Sequence, residues 1–270
     1  MTLTFWYARR IRNYGVVDVV WSLGFAPLVL LYLVIANRMF FDAKLNSHPE
    51  WNWPAAFTIS SLVVLWSLRL GGHLFFRVKR HHPHEDVRSA ELRREWGSAE
   101  ARKMFGFYLL QGALQVVLSL PWILTILDPQ RHPTFRLSPF AWAGVAFWLM
   151  GWIGEAIADR QLGRFRADPT RRGQICETGL WYYSRHPNYF FEWLIWVAYA
   201  LFALAAPWGW LGVVAPALMW HFLVNITGIP MTEALSVKSR GEAYRRYQAT
   251  TSAFVPWFKR NSSVHLSSHD

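Results

Sequence analysis

Three observations predict an all-α, polytopic membrane bundle. The 270-residue chain is 53% hydrophobic and 17% aromatic but only 17% charged, against roughly 25% charged in a soluble domain. Its apolar residues fall into six runs long enough to cross a bilayer. The segments between those runs alternate between rich and poor in Lys and Arg. Disorder and a disulfide scaffold are excluded by this composition, and the single cysteine, Cys176, has no partner for an intramolecular bridge. It reads as an incidental thiol.

The runs are Val16–Ala36, Ala55–Phe76, Phe107–Leu127, Pro139–Ile157, Tyr189–Ala206 and Trp208–Ile229. Hydrocarbon offers a backbone no hydrogen-bond partner, so each run is expected to be a helix, with six to seven transmembrane helices in all. The first begins like a signal peptide, but its apolar stretch is too long and no small-residue cleavage site follows, which predicts a retained helix. Pro207-Trp208-Gly209 predicts a tight turn joining the last two runs. Of 28 Lys and Arg, 23 fall in alternate segments, four in the others and Arg69 within a span. That asymmetry predicts cytoplasmic termini, and it explains the net charge of +11 as topology rather than nucleic-acid binding. Residues 1–260 read as one membrane domain, and 261–270, rich in Ser and His, as a disordered tail.

Ionisable residues inside a span are expensive and mark interiors, cavities or partners. Here they are Asp18, Arg69, His73, Glu155, Glu192 and His221, accompanied by Gln111, Gln115 and Asn225. Interhelical hydrogen bonds and an ion pair would account for some. Arg69 and His73, four apart, continue through Arg77 and Arg80 along one helical face toward water. Glu155, Asp159 and Arg166 are separated by four and seven residues, about one and two turns if that helix outruns the membrane.

The densest segment is Trp181-Tyr182-Tyr183-Ser184-Arg185-His186-Pro187-Asn188-Tyr189-Phe190-Phe191-Glu192. Pro187 suits the first position of a helix, setting Arg185 and His186 just before it. A helix start beside two basic side chains suits a phosphate, although an interfacial cap with snorkelling side chains needs the same residues. Asn188 and Glu192 would point together into the bundle. Glu233, Lys238, Tyr244, Arg245 and Tyr247 precede Pro256-Trp257 in an amphipathic stretch suited to lie on a membrane or close over a ligand. His81, His82, His84, Glu85 and Asp86 share one loop without ligand spacing from a second element, so no metal is expected. No dinucleotide-binding glycine fingerprint, Walker loop or nucleophile elbow occurs, so any nucleotide must be held by helix ends and loops.

These residues resemble the bacterial, membrane-embedded steroid 5-alpha-reductase-like family, related to sterol reductases and isoprenylcysteine carboxyl methyltransferases. The resemblance is most specific at Arg164-Phe165-Arg166-Ala167-Asp168-Pro169, Thr178-Gly179-Leu180-Trp181, Ser184 to Tyr189 with Glu192, and Gly228-Ile229-Pro230 through Tyr244, Tyr247 and Pro256-Trp257. It is looser at Asp18-x-x-Trp21, Arg69-Leu70 and His84-Glu85-Asp86-x-Arg88. It implies NADPH-dependent reduction of a carbon-carbon double bond conjugated to a ketone in a steroid-like molecule. Glu155, Asp159, Arg166, Asn188 and Glu192 then correspond to cofactor-lining positions, with Arg164, Arg185, His186, Tyr189 and Glu233 as neighbours. Glu155 stands where animal enzymes have Asn, and Phe191 where relatives have Gly, which would narrow the space beside cofactor or substrate. The Gln-Glu pair and Tyr that hold the substrate ketone in animal enzymes are replaced by Asp18 and Trp66.

On this reading hydride passes to the β-carbon of an enone, and a donor in a dry pocket stabilises the growing oxyanion. The candidate donors are Asp18, Arg69 and His73. The lipophilic substrate enters from the bilayer of a bacterial inner membrane and NADPH from the cytoplasm. The rivals are an S-adenosylmethionine-dependent methyltransferase, whose paired acids after the last span are here Thr232-Glu233, and a non-catalytic lipid-binding or transporter-like bundle.

Overall fold

Proline, glycine and small polar residues decide where the apolar runs break and how closely they pack. The computed structural model describes residues 1–44, 53–81, 84–85, 87–128 and 137–260. The expected tail at 261–270, and His82, Asp86, Arg131 and Arg136, lie outside them. The helices are α1 (Thr2–Ile11), α2 (Val16–Lys44), α3 (Trp53–His81), α4 (Val87–Trp96), α5 (Glu100–Leu118), α6 (Leu120–Ile126), α7 (Pro139–Ala167), α8 (Leu180–Tyr183), α9 (Pro187–Ala203), α10 (Val214–His221), α11 (Ile229–Arg240) and α12 (Glu242–Thr250). Among the described residues there is no strand, only an isolated parallel bridge between Ser184 and Ser252.

Five helical stretches are long and apolar enough to cross a membrane: Val16–Met39, Trp53–Arg80, Ser89–Ile126, Pro139–Ala167 and Gly209–Arg240. The chain is an all-α polytopic membrane protein. The run expected at Tyr189–Ala206 forms α9, whose 17 residues end at Ala203. It stops there because the predicted turn follows: Trp208 is left-handed at φ 58°, and a Cβ on Gly209 would lie 1.7 Å from the Ala203 carbonyl oxygen. Only glycine fits that approach. The chain divides into two compact units, Met1–Val145 with Ala198–Ala215, and Ala146–Val197 with Pro216–Asp270.

In the first unit α2 and α3 pack through small residues. A Cβ on Gly71 would meet the Leu23 side chain at 2.3 Å, so glycine permits the close approach that packing in lipid favours. Pro27 lies inside α2 and offers no N–H to the turn before it. A serine of the facing helix serves the turn just before it: Ser67 Oγ donates to the Ser22 carbonyl at 2.6 Å and accepts from the Ala26 N–H at 3.2 Å. Ser67 thus does in the membrane what water does for a soluble kinked helix. Beyond it Phe25, Trp66, Trp122 and Tyr199 meet edge to face or tilted, with centroids 5.3 to 6.3 Å apart, and all four are fully buried.

The amphipathic α1 buries Phe5 and Ala8 against Tyr14, Val17, Met104 and Tyr108. It ends at Arg12 in the left-handed conformation, and the turn after it is held by one carboxylate. Glu85 accepts from the Tyr14 N–H at 2.8 Å and from Arg93 at 2.9 Å, while Arg93 also reaches the Arg12 carbonyl at 3.3 Å. Tyr108 donates its hydroxyl to the Tyr14 carbonyl at 2.9 Å.

Replacing Ser67 by Ala removes both of these contacts beside Pro27, and should lower stability in detergent by about 1 kcal/mol, in the range of polar contacts between membrane helices. The exposed Ser61→Ala is the comparison. Thermal melts of the two variants that coincide would refute the role.

Candidate functional site

The cofactor-lining set expected from the sequence belongs to the second unit, and the expected donors Asp18, Arg69 and His73 to the first. On α3, Arg69, His73 and Arg77 are spaced by fours along one unbroken helix, as expected. Arg69 is half-buried and His73 exposed. Asp18, in the first turn of α2, lies 3.6 Å from Arg77.

In the second unit α7 continues to Ala167, so Glu155, Asp159, Arg164 and Arg166 ride on one helix. Glu155 is buried, Asp159 half-buried, and the two arginines are exposed near the helix end. Asp168 then caps a short turn, accepting from the Thr170 hydroxyl at 2.7 Å and its N–H at 3.0 Å, with Arg171 at 3.1 Å. Those Thr170 bonds first, and Arg171 after them, hold the Asp168 carboxyl below its ordinary range.

The chain returns to α7 at Gly179, at φ 62°, where a Cβ would strike the Gln161 side chain. Gln161 accepts the Leu180 N–H at 2.9 Å, and the Trp181 indole donates to the Ala158 carbonyl at 3.0 Å. The short α8 is thereby fixed, Ser184 is extended, and α9 starts at Pro187 as its missing N–H predicts.

Arg185 and His186, placed just before that helix, do not extend outward. Arg185 Nε donates to Glu233 at 2.6 Å, and Nη1 to the carbonyls of Gln248 and Thr251, each at 2.7 Å. Glu233, on α11, also receives Gln248 Nε2 at 2.7 Å and faces His186 Nε2 at 3.2 Å. Because an ionised carboxylate only accepts, His186 carries its proton on Nε2 in this arrangement. Burial holds the His186 pKa below the ordinary histidine value, against the opposing hydrogen bond to Glu233. Tyr189 stacks on the imidazole at 5.3 Å with the rings 7° apart, and its hydroxyl is 3.3 Å from that of Thr232.

The result is a clasp. Its ion pair is nearly dry, with the Arg185 and Glu233 side chains 10% and 14% exposed, and it holds α11, α12 and the following segment onto the start of α9. The segment is stitched further by Arg185 N–H to the Ser252 carbonyl at 2.9 Å and the Ser184 hydroxyl to the Phe254 carbonyl at 2.8 Å. Tyr247 donates to the Trp181 carbonyl at 2.5 Å, and burial raises its phenol pKa. Burial likewise pushes Tyr244 up to about 12, so neither phenol ionises near neutrality.

At the second position of α9, Asn188 Oδ1 is buried and accepts no hydrogen bond among the described residues. A turn further, Glu192 is buried and accepts the Trp196 indole N–H at 2.9 Å. Phe191 spends its bulk between helices, with its ring where a Cβ on Gly154 would sit at 2.4 Å. Gly154 on α7 thus makes room for the aromatic ring that stands at the expected glycine position.

Sequence reasoning missed Gln161, Gln248 and Thr251, which hold the clasp and its approach. A glutamine side chain or a backbone carbonyl carries no periodicity or charge signal, so nothing marked them in advance.

The fold and these two polar constellations define an integral membrane protein with a buried ionic clasp at the start of α9. The chain belongs to a protein family of unknown function (DUF1295), whose model matches residues 4–251. No curated protein and no solved structure matches it.

Removing one partner of a buried ion pair strands the other. Glu233→Gln should therefore cost about 3 kcal/mol, whereas Glu242→Gln, at a pair whose acid is 79% exposed, should leave the melting temperature unchanged. Equal melting of the two variants would show that the clasp carries no stability.

The unfolded chain takes up a proton at His186 near pH 6.5, before the native protein does. Stability present above that pH should therefore decline as pH falls from it toward the lowered native value. His186→Gln should flatten the dependence, as read by melts between pH 8 and 5.5.

Proposed function

We propose that the protein is an NADPH-dependent reductase of a carbon-carbon double bond conjugated to a ketone in a lipophilic, steroid-like substrate. The observation that carries this reading is the buried Asn188 Oδ1, an acceptor without a donor among the described residues. Leaving such an atom unsatisfied costs about 1–3 kcal/mol, and the amide N–H of a nicotinamide carboxamide is a donor of the right chemistry. The exposed Arg164 and Arg166 offer guanidinium forks of the kind that phosphates prefer. Glu155, Asp159 and Glu192 supply acceptors of the kind ribose hydroxyls need.

Arg185 and His186 take a different part from the one their position in the sequence suggests. Committed to Glu233, they position the start of α9, and with it Asn188, rather than hold phosphate. The same commitment weighs against the methyltransferase alternative. The paired acids that such an enzyme carries after its last span are here Thr232-Glu233, and the Glu233 carboxylate is already engaged by Arg185, His186 and Gln248.

When bound, NADPH supplies the hydride. The residues of this chain orient the partners, keep water out and stabilise the charge that grows on the ketone oxygen. The substrate reaches the site from the bilayer, and the cofactor from the basic, cytoplasmic side of a bacterial inner membrane. The family match at residues 4–251 spans every residue in this proposal.

Thermal melts of detergent-solubilised protein titrated with NADPH, NADH and S-adenosylmethionine test the proposal, since a ligand that binds the native state raises its stability with the logarithm of its excess. NADPH should stabilise, and Asn188→Ala should weaken it about fivefold or more, the equivalent of one hydrogen bond. Stabilisation by S-adenosylmethionine alone would falsify the reductase reading.

A further inference from the structure

The segment after α12 carries apolar bulk where a chain of this kind has no internal use for it. Trp257 is 68% exposed, Phe258 74% and Val255 49%, and Tyr182 beside them is 43% exposed. The segment has no helix or strand of its own, yet its backbone is fixed at both ends. Trp257 N–H donates to the Tyr183 carbonyl at 2.9 Å and Arg260 N–H to the Thr250 carbonyl at 2.8 Å. Lys259 is bonded to Glu177 at 2.5 Å and lies 4.6 Å from the ring centre of Tyr182. The indole and phenyl rings are thus presented on a held scaffold, which spares the entropy of ordering them when they bind.

Beside them is an open groove of about 740 Å³, formed by 173–175, Glu177, Tyr182, α12 and the end of the segment. Its charged lining is Arg246, Lys259 and Arg260 against the single acid Glu177. Glu177 is already matched by Lys259, so the groove keeps the excess positive charge of two exposed arginines. Aromatic rings next to a basic cleft are complementary to the boundary of a bilayer, where rings settle at headgroup depth and basic residues meet anionic phosphate.

We propose that Val255, Trp257 and Phe258 form an interfacial anchor, and that the adjoining groove receives the phosphate headgroup of an anionic phospholipid through Arg246 and Arg260. The groove does not include Asn188, so this site stands or falls independently of the reductase reading. Free phosphate offers the same charge without acyl chains, and the rings decide between the two sources. They have a function only if hydrocarbon lies beside the phosphate.

The test uses the full-length protein in an uncharged detergent, titrated separately with dioleoylphosphatidylglycerol, dioleoylphosphatidylcholine and inorganic phosphate, with melting temperature and lipid adducts in native mass spectra as readouts. The phosphatidylglycerol should bind and stabilise, and Arg246→Gln/Arg260→Gln should weaken it roughly 30-fold, the combined effect of two basic residues at an anionic surface. Arg246→Lys/Arg260→Lys should retain most of the affinity, and Arg94→Gln/Arg102→Gln, exposed cations elsewhere, should leave it within about twofold. Trp257→Ala/Phe258→Ala should weaken both lipids. Equal binding of the two lipids, equal stabilisation by inorganic phosphate, or full affinity in the Arg246→Gln/Arg260→Gln variant would each overturn the proposal.

Discussion

Hydrocarbon cannot hydrogen-bond, and the architecture of this chain follows from how its backbone and few intramembrane polar groups meet that constraint. The apolar runs become helices because no other open structure satisfies its own N–H and C=O groups. Beside Pro27 in α2, Ser67 of the facing helix bonds to the Ser22 carbonyl and the Ala26 N–H. Where α5 gives way to α6 at Ser119, the serine hydroxyl donates back to the Val116 carbonyl at 2.7 Å and meets the Tyr32 hydroxyl at 2.8 Å. Gln115 does similar work, donating to the Trp21 carbonyl at 2.7 Å. Each device is a small polar side chain serving a backbone that water cannot reach.

The second unit solves the same problem outside its helices with charge. Two segments of irregular chain, before α9 and after α12, meet there and bring backbone groups together away from any helix. Arg185 is suited to gather them, since a guanidinium has five donors in a fixed fork. It satisfies two carbonyls and a carboxylate at once. Glu233 in turn collects Arg185, His186 and Gln248. Desolvating such a pair is expensive, and the cost is offset only because nearly every polar atom finds a partner. Against that background Asn188 Oδ1 and the Trp152 indole N–H stand out as buried polar atoms without a hydrogen-bond partner among the described residues.

Several features were legible from residues alone because they depend on local chemistry. Pro187 opens a helix wherever it is placed after an extended residue, and the turn at Pro207-Trp208-Gly209 follows from one left-handed residue and one glycine. The four-residue steps from Arg69 to Arg77 and from Glu155 to Asp159 hold because α3 and α7 run through them without a break. The fifth apolar run shows the limit of such reading. Hydropathy continues to Ala206, but the helix stops at Ala203, where the turn needs its carbonyl.

What sequence alone determined, then, is the class of solvent: long apolar runs and biased charge make an all-helical membrane protein, since the transfer energies of side chains add up along the chain whatever the packing. Tertiary structure alone decided which groups these polar residues meet. Arg185 and His186 read as a phosphate site until Glu233, 48 and 47 positions further on, meets them. Phe191 reads as an obstruction until Gly154 makes room for it. A guanidinium has the same chemistry toward a carboxylate as toward a phosphate, so its partner is a matter of distance, and distance between remote residues exists only once the chain has folded.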